Sequence, residues 1–402
     1  MKLQSLLIAI KQPYHFLQGL FAWIVFGAWR KHIRIIGVTG TDGKTTTSTM
    51  IYHILSKAGK KVALISTVAA YIGDQEIDTG FHVTTPSPFA LQRLLRSVAE
   101  RGYEYVVLEA TSHGIHQHRL FGINPEVVVL TNITREHLDY HSTYEHYLST
   151  KASFIARAKT AILNKNDRSE ALVKKKLQDK NLKIISYDNK TCDSSIRAAL
   201  VRYIAEPYNR ENGLAAITAC QCLHIGTDVC IKAIQSFPGV KGRMEEIPNN
   251  LGITVVVDFA HTPNALERAL TTLRSRVKQG NAFIAVFGCA GLRDQSKRPA
   301  MGRIASERAD SAVFTAEDPR VEDVHVIIRQ MKEGVVKNWG NIYEIAERGK
   351  AIRFAIQTLA KKGDVVGIFG KGHERSMNLD GKHEVPWSDQ EEARTALESR
   401  KT

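Results

Sequence analysis

A glycine-rich loop between an apolar run and a helical pattern constrains the fold of this chain more than any other segment. The run Ile33–Val38 predicts a buried strand, and Thr45–Ala58 predicts a helix with one apolar face. Between them, residues 38–45 read Val-Thr-Gly-Thr-Asp-Gly-Lys-Thr, which matches a phosphate-binding loop except that its usual first glycine is replaced. A loop of this kind at a helix N-terminus favours binding of phosphate. The segment therefore predicts a nucleotide-binding α/β domain.

The same alternation of short apolar runs and helical patterns continues along the chain. Continuous apolar strands between helices are typical of a mainly parallel sheet covered on both faces. We therefore predict an α/β fold, with a doubly wound P-loop domain followed by a second, Rossmann-like domain. The predicted strands are Val62–Ser66, Tyr105–Glu109 and Val127–Leu130 in a first series, and Thr254–Asp258, Phe283–Phe287, Ala312–Thr315 and Val365–Phe369 in a second.

A stretch rich in proline and glycine, residues 238–242, separates the two series of strands. We therefore expect a central ATP-binding domain over residues 32–241 and a carboxyl-terminal domain over residues 242–402, after a basic apolar segment at residues 1–31. A basic, solvated helix is expected around Leu172–Lys183.

Acidic and histidine side chains follow the predicted strands at their carboxyl ends, where open parallel sheets bind ligands. Glu109 ends one strand, His137 follows the next, and Asp258 ends the first strand of the second series. Because Mg²⁺ prefers oxygen ligands, we predict that Glu109 and the Thr45 hydroxyl hold one ion, and that His137 ligates a second ion or orients phosphate. Lys44 is predicted to neutralise the β- and γ-phosphates of a nucleotide.

The amino terminus is basic and apolar. Residues 1–41 contain five Lys or Arg and no Asp or Glu, and Leu17–Trp29 is nearly all apolar. That run is shorter than the ~20 residues of a spanning helix, and no small-residue cleavage site follows it. Two interpretations stay open: a helix in a membrane interface, with Trp23 and Trp29 beside bases, or a helix packed on the protein's own body.

Composition excludes several classes of protein. With 43% hydrophobic and 24% charged residues, the 402-residue chain is neither disordered nor collagen-like. Its five cysteines form no disulfide or zinc-finger pattern and are expected to be reduced thiols. The formal net charge of +14 suits an anionic partner without choosing among a nucleotide, a nucleic acid and a lipid headgroup.

An ordered set of motifs, from about Phe26 to the carboxyl end, resembles the Mur ligases, most closely the MurE branch. The resemblance implies an ATP-dependent ligase that adds an amino acid to a muramyl dipeptide precursor of peptidoglycan through an acyl phosphate. The motifs are Gly37–Thr47, Thr84–Pro86, Glu109–Arg119, Glu136–His141, Tyr147–Phe154, Tyr208-Asn209 with Asn212, Gly242–Glu245, Val257–Pro263, Phe287–Pro299, Glu317–Arg320 and Gly370–Glu374.

The resemblance also implies roles for individual residues. The ATP contacts are Gly40, Thr41, Asp42, Gly43, Lys44, Thr45, Thr46, Asn212, Arg243 and Asp258. The contacts to the muramyl peptide are Thr84, Thr85, Thr111, Gln117 and Arg119. The pocket for the added amino acid consists of Arg293, Glu317, Asp318, Pro319, Arg320, Gly370 and Glu374.

ATP and Mg²⁺ are the cofactors that the resemblance implies. The expected catalytic residues are Lys44, Glu109, His137 and Lys151, and the expected metal ligands are Thr45, Glu109, His137 and a CO₂-derived carbamate on Lys151. The residue pattern by itself would make Lys151 an ordinary surface lysine.

The amino-acid pocket departs from the family pattern at one position. Diaminopimelate-adding members typically read Asp-Asn-Pro-Arg, whereas this chain reads Glu-Asp-Pro-Arg at residues 317–320. Arg320 can still clamp a distal carboxylate bidentately, while Asp318 replaces an amide donor by a group that only accepts. We favour diaminopimelate over lysine as the added amino acid.

Two further departures leave the carrier of the acceptor open. Only the end of the family's uridine-nucleotide-binding domain is recognised, and the β-rich insert before Tyr208 is short. The acceptor is UDP-linked, or it is lipid-linked with residues 1–31 holding the enzyme at the inner face of the membrane. A folate or polyglutamate ligase and a nucleotide-binding scaffold without ligase activity are the alternatives. We expect a cytoplasmic monomer with no nucleic-acid partner.

Overall fold

The computed structural model describes residues 2–27, 29, 33–73, 75–77, 85–134 and 136–400. Within it the chain separates into two compact units, Met1–Pro238 and Gly239–Thr402. The amino-terminal helix belongs to the first unit, and the division between the two units falls after Pro238.

The first unit is built on a sheet that contains, among the described residues, eight strands in the order β4-β3-β2-β5-β1-β6-β7-β8. The strands are β1 Arg34–Thr39, β2 Val62–Ile65, β3 Ala70–Ile72, β4 Gln75–Ile77, β5 Tyr105–Glu109, β6 Val127–Leu130, β7 Thr160–Asn164 and β8 Lys183–Tyr187. The six neighbouring strands β2, β5, β1, β6, β7 and β8 pair in parallel, whereas β3 and β4 form an antiparallel edge beside β2.

Helices cover both faces of this sheet. They are α1 Lys2–Phe26, α2 Lys44–Lys57, α3 Pro88–Glu100, α4 Ser112–His116, α5 Leu138–His141, α6 Tyr144–Ile155, α7 Ser169–Leu177, α8 Ser194–Tyr203, α9 Pro207–Cys222 and α10 Thr227–Gln235. Successive residues of a strand enter opposite cores, as Ile35 and Ile36 do in β1. This two-sided burial explains why the strands have apolar runs without polar alternation.

The predicted basic helix ends earlier than its charge pattern indicates. Helix α7 stops at Leu177, and Lys183 starts β8 opposite Thr160 of β7. The run of lysines continues through the connecting turn, so charge alone did not mark the helix end. Pairing with β7 decides the conformation of Lys183.

The second unit contains a six-stranded sheet in its described part, ordered β13-β12-β11-β14-β10-β9. Its strands are β9 Glu245–Glu246, β10 Thr254–Asp258, β11 Phe283–Phe287, β12 Ser311–Phe314, β13 Ile342–Glu344 and β14 Val365–Phe369, and β15 Ser376–Asn378 pairs with β16 Glu384–Pro386. The helices are α11 Pro263–Arg274, α12 Lys297–Arg308, α13 Val324–Lys332, α14 Arg348–Phe354, which continues as a π-helical turn at Ala355–Leu359, and α15 Asp389–Glu398. The predicted α/β class with mainly parallel sheets is confirmed.

Strand register sets where the functional side chains lie in the first unit. Val38 of β1 pairs with Glu109 of β5, and Thr39 pairs with Leu130 of β6. The carboxyl ends of three parallel strands therefore share one edge of the sheet, where the glycine-rich loop begins.

Candidate active site

Two glycines shape the predicted phosphate loop. Gly40 has a φ of 152° and Gly43 a φ of 80°, a region that favours glycine. A Cβ on Gly40 would lie 1.9 Å from Thr131 Oγ1, and one on Gly43 would lie 2.3 Å from Asn212 Oδ1. The loop is therefore packed closely against β6 and α9, and Asn212 lies beside it as predicted.

Two residues that follow β6 form hydrogen bonds with the phosphate loop. This role was not predicted from the sequence. The backbone N–H of Asp42 donates to Asn132 Oδ1 at 2.9 Å, and Thr131 Oγ1 donates to the Asp42 carbonyl at 2.6 Å. Their position directly after a predicted parallel strand is the signal that could have identified them. Lys44 Nζ donates to the Thr41 carbonyl at 2.7 Å, so the ammonium is folded over its own loop.

The loop meets β5 through a hydroxyl and a carboxylate. Thr45 Oγ1 lies 3.1 Å from each carboxylate oxygen of Glu109, which is almost completely buried. The backbone N–H of Thr67, after β2, donates to Glu109 Oε2 at 3.0 Å. The structure thus brings together the two oxygen donors that the sequence predicts for Mg²⁺.

Lys151 is a buried residue of α6, which corrects the surface position that the residue pattern alone indicates. Its Nζ donates to the Gly40 carbonyl at 2.7 Å and lies 4.6 Å from the centroid of the Tyr147 ring. Burial, followed by the charge of Lys44, lowers the pKa of the Lys151 amine well below its usual value. A buried amine of this kind contacts the loop that is predicted to bind phosphate.

His137 belongs to a cluster of histidines beside the loop. Its ring centroid lies 4.7 Å from that of His113 and 6.2 Å from that of Tyr147, whose hydroxyl is 3.1 Å from Thr41 Oγ1. In the same cluster, burial lowers the pKa of His141 to about 2. Burial also lowers the pKa of His116 to about 4. These two neighbours are therefore neutral imidazoles near pH 7.

The donor set suits a hard cation. The described residues contain no group of three or more His, Cys, Asp and Glu side chains arranged to hold a metal ion. The hydroxyl of Thr45 and the carboxylate of Glu109 are oxygen donors, which Mg²⁺ takes together with waters and substrate phosphates rather than in an all-protein cage. The residues present therefore fit Mg²⁺ bound together with a nucleotide.

Four of the predicted muramyl-peptide residues lie together, in the segments before α3, after β5 and after α4. Thr85 Oγ1 is 3.0 Å from Thr111 Oγ1, and Arg119 donates to the Thr85 carbonyl at 2.6 Å. Arg119 also donates twice to Gln117 Oε1, at 2.6 and 3.0 Å, and Gln117 donates to the Tyr140 hydroxyl at 3.3 Å. We call these four residues the acceptor cradle. Thr84, the fifth predicted residue, lies outside the described residues.

In the second unit, Asp258 and Arg243 lie close in space. The Asp258 carboxylate accepts from the backbone N–H of Met244 at 2.7 Å and of Ala260 at 2.8 Å. The Arg243 guanidinium lies 4.3 Å from the centroid of the Phe259 ring. Their predicted contact with ATP stays a prediction.

Asp318 does not stand alone in the predicted amino-acid pocket. Its Oδ1 accepts from the buried Lys371 Nζ at 2.9 Å and from the backbone N–H of Asn378 at 3.0 Å. Lys371 also pairs with Glu374 at 2.5 Å. The sequence assigns Lys371 no role, although it lies in the motif Gly370–Glu374, because a sequence cannot show that its ammonium lies between two carboxylates.

The other residues of the predicted amino-acid pocket differ in their contacts and in their exposure. Arg320, with a φ of 54°, donates to the Gly291 carbonyl at 2.6 Å. Gly370, with a φ of 112°, approaches the buried Glu317, since an added Cβ would lie 3.3 Å from Glu317 Cγ. Pro319 is buried, whereas Arg293 is exposed.

A phosphate loop on a doubly wound sheet, a carboxylate on the neighbouring strand and a second parallel α/β unit define a two-domain ATP-dependent ligase. Two family models match the chain: the Mur ligase middle domain over residues 38–218, and the Mur ligase glutamate ligase domain over residues 242–372. The chain therefore belongs to the Mur ligase family, an amide-forming group that includes enzymes of peptidoglycan synthesis.

Curated relatives are similar over most of their length. A UDP-N-acetylmuramoyl-L-alanyl-D-glutamate--2,6-diaminopimelate ligase of Clostridium botulinum is 37% identical over 89% of this chain and 76% of its own length. A ligase of the same name from Geobacillus kaustophilus is 36% identical over 95% of this chain and 82% of its own length.

Solved structures agree in fold. A structure of a ligase with that name is 31% identical, with a TM-score of 0.61, and covers 97% of this chain and 83% of that one. A bifunctional folylpolyglutamate synthase/dihydrofolate synthase of Yersinia pestis is 19% identical, with a TM-score of 0.69, over 88% of this chain and 90% of that one. The second likeness concerns the fold alone.

Proposed function

We propose that this ligase adds meso-diaminopimelate to a muramyl dipeptide precursor of peptidoglycan, using ATP and forming an acyl phosphate. One observation carries the proposal. The phosphate loop, Glu109 and the buried Lys151 meet at one sheet edge in a chain whose curated relatives are named for this reaction. Fold likeness to folate ligases adds no support for a folate substrate.

The loop binds the triphosphate of ATP. Backbone N–H groups from Gly40 to Thr46, at the start of α2, point toward phosphate oxygens, and the helix dipole favours their negative charge. Lys44, whose Nζ lies 2.7 Å from the Thr41 carbonyl of the same loop, neutralises the β- and γ-phosphates. Asn212, packed on Gly43, limits the space behind the nucleotide.

Thr45, Glu109, His137 and a carbamate on Lys151 would hold Mg²⁺. Bound Mg²⁺ screens the charge of the phosphates, so that an anionic carboxylate can approach them. Two observations support the carbamate: the Lys151 amine is buried, and it lies at the loop, 2.7 Å from the Gly40 carbonyl. A carbamate there replaces a cation by an oxygen donor.

The acceptor cradle positions the carboxylate that reacts. Arg119 supplies a guanidinium beside Thr85 and Gln117, which suits a carboxylate-bearing peptide. An oxygen of the acceptor carboxylate attacks the γ-phosphorus of ATP, and the bond to the β-phosphate oxygen breaks to release ADP. The amine of the incoming amino acid then attacks the acyl carbon, phosphate leaves with the electron pair, and the nitrogen loses a proton.

The pocket of the second unit binds the amino acid. Arg320 clamps the distal carboxylate of diaminopimelate, a group that lysine lacks. Asp318 and Glu374 flank Lys371, and their carboxylates favour an ammonium-bearing ligand.

Phosphate release from ATP tests the proposal. Diaminopimelate, lysine and glutamate are each paired with a UDP-linked and a lipid-linked muramyl dipeptide, and the amide product is identified by mass spectrometry. We expect release with diaminopimelate and a muramyl acceptor. Release only with lysine or only with glutamate contradicts the amino-acid assignment, and ATP binding without acceptor-dependent release favours the scaffold. Comparison of phosphate release with the UDP-linked and the lipid-linked dipeptide shows which of the two is the acceptor.

The monomer, the cytoplasmic location and the membrane contact of residues 1–31 stay predictions beside this proposal. Sedimentation of the full chain tests the monomer. Fractionation of cells into soluble and membrane parts tests the location.

A further inference from the structure

Helix α1 is fixed to the first unit by one face. Gln12 Nε2 lies 3.0 Å from His116 Nδ1, and the Phe16 ring meets Phe121 edge-on at 5.3 Å. Farther along, Ala22 is completely buried, and a Cβ on Gly19 would lie 2.6 Å from the His118 carbonyl oxygen. This close packing fixes which face of the helix points away from the protein.

The opposite face carries an unbroken row of large apolar side chains. They recur every three or four residues, the spacing that places side chains on one side of a helix. Each is between 59% and 65% exposed, and together we call them the α1 stripe: Ile10, Tyr14, Leu17, Phe21 and Ile24. Soluble proteins seldom expose contiguous apolar patches above a few hundred Å², so a row of this kind indicates a contact surface.

The charge of the amino-terminal segment indicates which kind of surface the α1 stripe would contact. Residues 1–41 contain five Lys or Arg and no acid, and the whole chain carries a net charge of +14. Lys11 is exposed beside the stripe. An apolar helix face with aromatic residues, in a segment that contains bases and no acid, suits the interface of an anionic bilayer, where rings enter the headgroup region and bases meet phosphates.

The same features disfavour a second copy of this chain as the occupant. Two α1 helices would bring basic residues together with no acid of residues 1–41 to pair with them. Tyr14 and Phe21 alternate with Ile and Leu, whereas two-stranded coiled coils prefer β-branched residues at such alternate positions. No helix in the described part of the chain has the length and hydropathy to cross a bilayer.

We propose that the α1 stripe docks on an anionic lipid bilayer, with α1 lying along the membrane surface. The contact of Gln12 with His116 joins α1 to the helix that precedes Gln117 and Arg119. Docking therefore holds the acceptor cradle beside the bilayer, where a lipid-linked acceptor presents its peptide. This second consequence rests on the proposed function, whereas docking itself does not.

Vesicle flotation tests docking with the full chain. The probes are vesicles of phosphatidylcholine alone and of phosphatidylcholine with phosphatidylglycerol. The stripe variant carries Leu17→Gln, Phe21→Gln and Ile24→Gln, and the control variant carries Leu172→Gln, Val201→Gln and Val336→Gln, which are also exposed. Circular dichroism and thermal unfolding check that both variants fold.

We expect the wild type and the control to float with the anionic vesicles, less at high salt, and the stripe variant to float about tenfold less. Equal flotation of the stripe variant and wild type overturns the proposal. Absence of wild-type flotation also overturns it, and a concentration-dependent dimer that the stripe variant loses would then assign the stripe to a second copy.

A kinetic comparison tests the consequence for the acceptor. With a vesicle-borne muramyl dipeptide, we expect the KM of the stripe variant to rise about tenfold, and with a soluble acceptor we expect kcat and KM to stay unchanged. An unchanged KM on vesicles contradicts this coupling. No phosphate release with any acceptor, while flotation persists, refutes the proposed function and leaves docking intact.

Discussion

The hydroxyl of Thr45 donates to both carboxylate oxygens of Glu109, at 3.1 Å each. Thr45 is the second residue of α2, and Glu109 is the last residue of β5. The bond therefore ties the phosphate loop to the neighbouring strand and sets two oxygen donors side by side. We expect removal of either group to weaken the proposed Mg²⁺ binding more than it lowers the stability of the fold.

Replacement of Thr45 tests this arrangement. Thr45→Val keeps the shape but removes the oxygen, so we expect phosphate release to fall roughly 100-fold, in the range seen when a single electrostatic contact is lost. Thr45→Ser keeps the hydroxyl and should retain most activity. Titration with Mg²⁺ should show a higher requirement for the valine variant, and equal activity of the two variants would exclude Thr45 as a ligand.

Lys151 allows a second test, because its carbamate and its amine differ in charge. We expect Lys151→Ala to lose about 100-fold or more in phosphate release, and small carboxylic acids such as acetate or propionate to restore part of it. Addition of the same acids should not help Thr45→Val, which is the matched control. A Lys151→Arg variant with full activity would show that a positive charge suffices and that no carbamate is needed.

Arg320 decides between diaminopimelate and lysine in the proposed pocket. Arg320→Met removes the partner of a distal carboxylate, so we expect KM for diaminopimelate to rise at least about tenfold, as for the loss of a charged hydrogen bond. Lysine has no distal carboxylate, and any activity with it should be unaffected. Equal effects on both amino acids would show that Arg320 acts on the fold of the pocket.

The carboxylate of Glu322 gives a prediction of how stability depends on pH. Hydrogen bonds from the buried Arg298, at 2.5 and 2.8 Å, lower the pKa of Glu322 from 4.5 to about 2. A lowered pKa in the folded state means that the stabilisation is complete above the unfolded pKa of 4.5 and is lost as the pH falls toward 2. Denaturant unfolding can be measured between about pH 6 and pH 3. We expect the free energy of unfolding to fall more steeply with falling pH for the wild type than for Glu322→Gln.

A buried ion pair in the second unit gives a prediction of stability. Arg348 donates to both oxygens of Asp389, at 2.7 and 2.6 Å, and both side chains are buried. Arg348→Met leaves an unpaired buried carboxylate and should cost about 3–5 kcal/mol in the free energy of unfolding. The double variant Arg348→Met/Asp389→Leu should recover much of this loss. Arg348 also donates to the carbonyls of Ala316 and Phe369, and a double variant no more stable than the single one would show that these two bonds dominate.

Much of the fold was predictable because the strands are short, apolar and bounded by glycine or polar residues. The prediction of β5 and β6 matches the structure residue by residue, and the predicted first strand differs from β1 by one position at each end. Periodicity failed at Lys183, where a run of lysines continues past the end of a helix. There the pairing of β8 with β7 determined the conformation.

The candidate site was predictable only in part. Motifs identified the phosphate loop and Glu109, because their chemistry requires particular residues at particular spacings. The position of Thr131 and Asn132 after a predicted strand is their only local signal, and it does not show that they contact Asp42. The pairing of Lys371 with Asp318 joins positions 53 residues apart, and only the folded chain brings them together.

The sequence by itself determined the α/β class, the phosphate loop and the basic character of the amino terminus. These properties depend on local periodicity, on residue types and on summed charge, none of which requires a contact between distant residues. Tertiary structure decided that Lys151 is buried at the loop and that one face of α1 is covered while the α1 stripe is exposed. Burial depends on which distant segments pack against a residue, and no local pattern contains that information.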